Sequence, residues 1–502
     1  MKITSKIQAF IYDKLCKISY SSFNSPELFE KLNIVSENFA SYCANYLSGT
    51  TLTSIIGTVI SFVFTAIVLF RIHPTVAVIM ISANLFGIFK THLEAKFNYY
   101  EIVGNMKNRR IADSYSEQLF DRSKLKEVKL FGLTDYLYNM WRKHTKAVNL
   151  KTLKYNALFS LMDFATNLIA SGLKVTALII TAKMILDGKL SLGSFLLVYS
   201  SSGSLIDTSG TLFHSIKNIK MASYYAKHFR EFDALNEIEP EITTNENSED
   251  IPADIEFKNI SFRYEGSEKD ILSNFSLKIK QGEKIAIVGT NGCGKTTFVS
   301  LLNRLYAPTS GQILISGKPI EDCMPYLRRK FITLFQDFVQ YETSLRENIS
   351  MGDVQHKYSD EEILKCCEKA DIKDFVEAKE FGLATPIGTY QENGINLSGG
   401  EWQKLAIARS MLRPDRKVII MDEPNAALDP ISEANIYKRI FDNIRDETLI
   451  LISHRLGAIK YVDRIIVINN GAVAEDGNHE DLMQLRGLYY EMYTAQAKWY
   501  EL

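Results

Sequence analysis

Apolar residues follow two different spacings along the chain. Up to about residue 215 they form long runs. Beyond residue 254 they form short runs separated by polar turns. The run 52–72 holds about twenty mostly apolar residues interrupted by a few Ser and Thr, enough for a ~30 Å hydrocarbon core. His73-Pro74 breaks it and 75–89 runs back, which reads as a transmembrane hairpin with a very short outer loop. The runs 156–186 and 192–213, joined by Asp187-Gly188-Lys189, form a second pair. A large soluble helical core also carries apolar runs and is the competing reading. The pattern predicts about four membrane helices.

Charge sets their orientation. Between Lys90 and Lys154 lie 14 Lys or Arg, against very few in the short turns. The basic segment is therefore expected in the cytosol, as helices extending below the membrane. Polar residues inside the apolar runs are candidates for a substrate path. Asp163 and Lys174 share a helix face about 16 Å apart along the axis, so they cannot pair directly. Asp207 sits among Ser200, Ser201, Ser202, Ser204 and Ser209, which reads as a helix facing protein or a wet cavity. Helix–helix packing and snorkelling are the alternative for all of these.

The short runs after residue 254 read as buried strands, and chemistry gathers at their ends. Residues 284–288 lead into Gly289, Asn291, Gly292, Cys293, Gly294, Lys295, Thr296 and Thr297, and a helical stretch follows over 296–305. This is the phosphate-loop pattern between a strand and a helix. Glycines let backbone N–H groups wrap phosphates, the helix N-terminus adds its dipole, Lys295 supplies a point charge, and the Thr296 hydroxyl can ligate Mg²⁺. The run Val418 to Met421 reads as a parallel strand whose C-terminal end carries Asp422 and Glu423. Asp422 would hold Mg²⁺ and Glu423 would polarise the attacking water. Ser398, Gly399 and Gly400 open a helical run over 402–412 and make a second anion site. One nucleotide needs one phosphate loop, so this second site predicts a nucleotide held between two subunits. His454 follows the apolar strand 449–452 and is placed to contact the γ-phosphate and the water.

A chain of 502 residues is long enough for two sizeable cores. A net charge of −1 gives no sign of a nucleic-acid partner. The six cysteines (Cys16, Cys43, Cys293, Cys323, Cys366, Cys367) form no metal or redox spacing and fit a reducing compartment. Residues 1–20 mix Lys, Asp and Gln through their apolar positions and do not read as a signal peptide. Residues 236–253 are acidic, contain Pro240 and Pro252, and read as a linker between a membrane domain over 1–235 and a nucleotide domain over 254–502.

The order phosphate loop, Gln336, Leu397-Ser398-Gly399-Gly400-Glu401, Met421-Asp422-Glu423-Pro424, Ala427-Leu428-Asp429, His454 resembles the ATPase domain of ABC transporters. The resemblance implies an α-helical transmembrane domain followed by an α/β P-loop ATPase domain. It further implies ATP and Mg²⁺ as cofactors and a second half-transporter as partner, in a homodimer or heterodimer. Gln336 would sense Mg²⁺ and the membrane domain, Asp429 would lie at the dimer seam, and Tyr264 would stack on adenine, with Phe262 the lesser choice. Glu401 stands where many members carry Gln, and Asn425 where Thr or Ser is frequent; both departures are expected to be tolerated. Residues 125–132 resemble the family's second intracellular loop and residues 20–28 the first. On that alignment the chain carries four membrane helices where the family has six, and such a chain is expected to transport poorly alone. The run Ile387 to Asn396 with Gly400 to Lys404 is most similar to bacterial peptide, bacteriocin or multidrug exporters. No leader-peptidase domain is expected. The resemblance implies ATP-driven export of a peptide, drug or lipid across the cytoplasmic membrane, with the ATPase in the cytosol. The rivals are a lipid flippase of the same fold and a non-transporting or regulatory ATPase subunit.

Overall fold

A computed structural model describes residues 2–24, 28, 31, 32, 34–39, 49–82, 85–235, 253–388, 391–424, 430–453, 459 and 462–500. They divide into two compact units, one over 1–18 and 22–239, the other over 19–21 and 240–502. The expected linker 236–253 lies outside the described residues except for Ala253, and the first-loop resemblance over 20–28 does so in part.

The first unit is helical: α1 (Lys2–Lys17), α2 (Gly49–Ile72), α3 (Pro74–Ser82), α4 (Leu85–Phe120), α5 (Arg122–Leu130), α6 (Thr134–Leu186) and α7 (Leu192–Asp233). The His73-Pro74 break falls between α2 and α3, where proline suits the first helical position. Gly188 takes a left-handed φ of 70° after α6, and Ser191 caps α7 by accepting a hydrogen bond from the Ser194 N–H. Leu69, Val76, Met80, Ala177, Val198 and Leu205 from α2, α3, α6 and α7 meet in one buried cluster.

Among the described residues two helices are apolar and long enough to cross a membrane: α2, over Ile55–Ile72, and α6. The expected runs in α3–α4 and α7 do not reach that standard among the described residues. Ser200, Ser201, Ser202, Ser204, Asp207 and Ser209 dilute α7, and α3 is only 9 residues long. At 53 residues α6 is about 80 Å long, more than twice a hydrocarbon core. Its N-terminal part therefore extends beyond any bilayer it crosses.

The second unit is α/β. A four-stranded antiparallel sheet has the order β2-β1-β4-β5, built from β1 (Ile255–Phe262), β2 (Leu272–Ile279), β4 (Ser310–Ile315) and β5 (Lys318–Pro319). A six-stranded sheet has the order β10-β9-β3-β8-β7-β6. Its strands are β3 (Lys284–Gly289), β6 (Phe331–Leu334), β7 (Val418–Asp422), β8 (Thr448–Ile452), β9 (Arg464–Asn469) and β10 (Ala472–Gly477). Only the β9–β10 pair is antiparallel; the other ladders are parallel. Every residue of β7 and β8 is buried, as the continuous apolar runs predicted for a sheet covered on both faces. The register aligns Asp422 of β7 with Ile452 of β8, and Ile452 with Ile287 of β3. The carboxylate strand and the phosphate-loop strand therefore end at the same level.

Candidate functional site

The loop after β3 runs straight into a helix over Lys295–Leu302, and seven of its eight residues are buried. Phe298 is fully buried and stacks on Phe257 of β1 with ring centroids 4.7 Å apart. Removing such a side chain typically costs about 3–5 kcal/mol, so this helix is a rigid base for the loop. Two glycines are sterically required. Gly294 caps the helix at φ 110°, and a Cβ there would lie 2.5 Å from a Leu272 methyl. A Cβ on Gly289 would collide with the Ile468 carbonyl. The Cys293 side chain is buried beside Gly289. Lys295 is folded back, its Nζ donating to the carbonyls of Gly289 (2.9 Å) and Thr290 (3.1 Å).

A cavity of about 660 Å³ opens above this loop, within the range of ligand pockets. It brings together Tyr264, Asn291, Gly292, Gly294, Lys295, Thr296, Thr297, Gln336 and Glu423, which are distant in sequence. Gln336 reaches it from the loop after β6. Ile271, which sequence reasoning did not single out, lines it as well; nothing in its apolar surroundings distinguishes it from a core position.

Tyr264 sits at the rim with its hydroxyl 3.2 Å from the Thr297 hydroxyl, and its ring is held edge-on by Phe262 and Tyr306. Phe262 itself is buried in the sheet core. Tyr264→Ala is expected to weaken ATP affinity by about 1–3 kcal/mol and Tyr264→Trp to preserve it, as stacking on a base requires. Titration with a fluorescent ATP analogue checks this; equal affinity in Tyr264→Ala and the parent would remove the stacking role.

Asp422 is buried at the end of β7. Burial and the adjacent Glu423 push its carboxyl up to about 6, against a smaller opposing pull from Lys295. Glu423 follows at φ 47°, a left-handed conformation that costs a bulky residue on the order of 1–3 kcal/mol. Its N–H is pinned to the Ile452 carbonyl at 3.0 Å. The Asp422 carboxyl does not itself line the cavity; it adjoins Glu423, which does, and interacts with Lys295. Its raised value also fixes a pH dependence. From about pH 4 to pH 6 the folded protein holds a proton that the unfolded chain has lost, so stability falls as pH rises through that window. The full penalty, on the order of 3 kcal/mol, applies above about pH 6. Asp422→Asn should therefore raise the apparent melting temperature of the nucleotide-free protein at pH 7.5 by roughly 2–4 °C per kcal/mol recovered. The gain should vanish below about pH 4, where both states are protonated. Melting curves at the two pH values check this, and an unchanged melt at pH 7.5 would contradict it.

Ser398, Gly399 and Gly400 do not line this cavity. Ser398 caps the helix Gly399–Met411 in a capping box with Glu401. Its hydroxyl accepts from the Glu401 N–H at 3.3 Å, while a Glu401 carboxylate oxygen accepts from the Ser398 N–H at 2.6 Å. The residue that departs from the common pattern thus orders the start of the predicted second anion site. His454, Asn425 and Asp429 lie outside the described residues.

Asp163 and Lys174 find partners on other helices, whereas Ser200, Ser202 and Ser209 donate to carbonyls of their own helix. Asp163 pairs with Lys90 of α4, and Lys174 lies over the Tyr199 ring of α7 with its Nζ 5.0 Å from the centroid. Glu94 and Lys217 pair at 2.8 Å. Helical spacing could exclude the Asp163–Lys174 pair but could not supply these long-range partners.

Residues 272–426 match the family model described as ABC transporter. The chain is 31% identical over 98% of its length to the subtilin transport ATP-binding protein of Bacillus subtilis, covering 80% of that protein. It is 29% identical over 90% of its length to the leukotoxin export ATP-binding protein of Aggregatibacter actinomycetemcomitans, and spans 63% of that relative. Among solved structures, a bacterial Atm1-family ABC exporter with ATP bound superposes with a TM-score of 0.83 at 26% identity, covering 98% of this chain and 85% of that one.

Proposed function

The chain belongs to the ABC transporter family as an ATP-driven exporter, and we propose that it works as one half of a dimer that exports a peptide across the cytoplasmic membrane. On this reading residues 1–235 form the multi-pass membrane domain, and residues 254–502 form the cytosolic ATPase. The observation that carries the reading is the single cavity joining Tyr264, the phosphate loop, Gln336 and Glu423.

The residues divide the work as follows. Tyr264 stacks on the base. Lys295, with the N–H groups of Gly292 and Gly294, holds the β- and γ-phosphates. Thr296, Gln336 and Asp422 hold Mg²⁺, which when bound neutralises charge that builds on the phosphoryl oxygens. Glu423 orients the attacking water and accepts its proton. His454 contacts the γ-phosphate. Ser398, Gly399 and Gly400 of the second subunit close the site over the nucleotide, excluding bulk water. Gly399 and Gly400 suit this role because their N–H groups lie at a helix start without side-chain bulk, while the capping box occupies the N–H groups of Ser398 and Glu401.

A peptide cargo is supported by the subtilin and leukotoxin relatives. The test is ATP hydrolysis by the protein purified in lipid nanodiscs, with added peptides or added lipids. The reading predicts hydrolysis that peptides stimulate. No hydrolysis, or stimulation by lipids alone, would overturn it.

A further inference from the structure

The helical unit contains a cavity of about 350 Å³ between α4, α6 and α7. Small residues stand on its walls: Ala170, Gly210, which faces open space, and Gly87, against which the Phe213 ring packs. Its polar lining is unusual for apolar helices. It includes Lys90, Glu94, Asp163, Asn167, His214 and Lys217. The four formal charges are already paired across helices, Lys90 of α4 with Asp163 of α6, and Glu94 of α4 with Lys217 of α7. Lys90 and Glu94 are four residues apart, so they lie one turn apart on the same face of α4. The cavity thus presents two formal cations and two formal anions from Lys and acidic residues, with His214 hydrogen-bonded to Asn218 at 3.0 Å.

We infer that this cavity is a binding site for a short zwitterionic peptide, one that carries a free ammonium and a free carboxylate. The inference rests on the peptide-export reading and names the feature of the cargo that is recognised. An ion pair with an exposed partner, as Asp163 is, contributes little net stability, and desolvation offsets the attraction of the more buried Glu94–Lys217 pair. Exchanging a protein partner for a ligand partner of the same sign therefore costs little, provided both charges of a pair are satisfied at once. A zwitterion satisfies both: its carboxylate meets Lys90 or Lys217 and its ammonium meets Asp163 or Glu94. A ligand with one charge leaves a protein charge unpaired, and this costs most at Lys90, Glu94 and Lys217, whose side chains are largely buried. The cavity volume admits a short segment, with Asn167 placed to hydrogen-bond its backbone. A phosphocholine headgroup carries the same pair of charges, but its quaternary ammonium cannot donate hydrogen bonds to Asp163 or Glu94.

The test is binding to the full chain in nanodiscs, without ATP, using trialanine, N-acetyl-trialanine, trialanine amide and glycerophosphocholine as probes. Trialanine should bind, and each of the other three should bind at least about tenfold more weakly, a difference of roughly 1.4 kcal/mol. Equal binding of free and blocked peptide, or of glycerophosphocholine, would overturn the inference. The fourfold variant Lys90→Met, Asp163→Asn, Glu94→Gln and Lys217→Met removes both pairs as units and leaves no orphan charge; it should bind trialanine no better than the parent binds the blocked forms. Parent-like binding by this variant would also overturn the inference. Because these measurements need no hydrolysis, a parent protein that failed to turn over ATP would defeat the export reading separately.

Discussion

Glu423→Gln should lower ATP turnover by about 10²–10⁴-fold while leaving ATP affinity near that of the parent. The separation follows from position. Glu423 sits at the mouth of the cavity after Asp422, held in a left-handed conformation at the end of a fully buried strand. A carboxylate there can take a proton from water. An amide of the same shape can hydrogen-bond the water but cannot accept the proton. Phosphate binding depends on Lys295 and the loop, which the substitution leaves intact. Steady-state phosphate release and equilibrium ATP binding on the same preparation check both halves. Turnover near the parent rate would remove Glu423 from the role of base.

Lys295→Ala should instead weaken ATP binding itself. The side chain is nearly buried and its ammonium already bridges two loop carbonyls. In this state it is aimed across the loop, within reach of any anion the loop receives. Losing one charge-assisted hydrogen bond costs about 1.5–3 kcal/mol, which is roughly 10- to 150-fold in affinity. ATP titration at fixed Mg²⁺ is the measurement. Parent-like affinity would show that the backbone of the loop suffices.

Much of the ATPase unit was legible because its signals are local. A strand, a glycine-dense loop and a helix are adjacent in sequence, and the runs at Val418 and Leu449 are too apolar and too short for anything but buried parallel strands. The relation between them was not local. Nothing in the spacing of Ile287, Asp422 and Ile452 says that they align across three strands; that comes from sheet order. The raised Asp422 carboxyl likewise follows from burial beside Glu423, a property of the packed sheet. In the helical unit, residues 134–186 form one continuous helix, whereas apolarity alone marked only 156–186. The basic, polar N-terminal part of α6 lacks the apolar signal that defines a membrane run. The serines of α7 obscured it in a similar way: they leave a helix that packs well, through Ser202 and Ser209, but is too polar to register as a span. The ion pairs of Lys90 and Glu94 were invisible for the same reason as the strand alignment, since their partners lie 73 and 123 residues away.

A nucleotide site completed by two subunits is tested most directly by mixing two disabled chains. Lys295→Ala damages the phosphate loop; Ser398→Arg damages the helix start that is to close over the partner's nucleotide. Each alone disables both sites of a symmetric dimer. In a mixed dimer both lesions fall in one composite site and the other site is intact. ATP hydrolysis measured across mixing ratios should therefore show activity that neither variant has by itself, highest near equal proportions. Hydrolysis that stays at the level of the separate variants at every ratio would contradict the shared site.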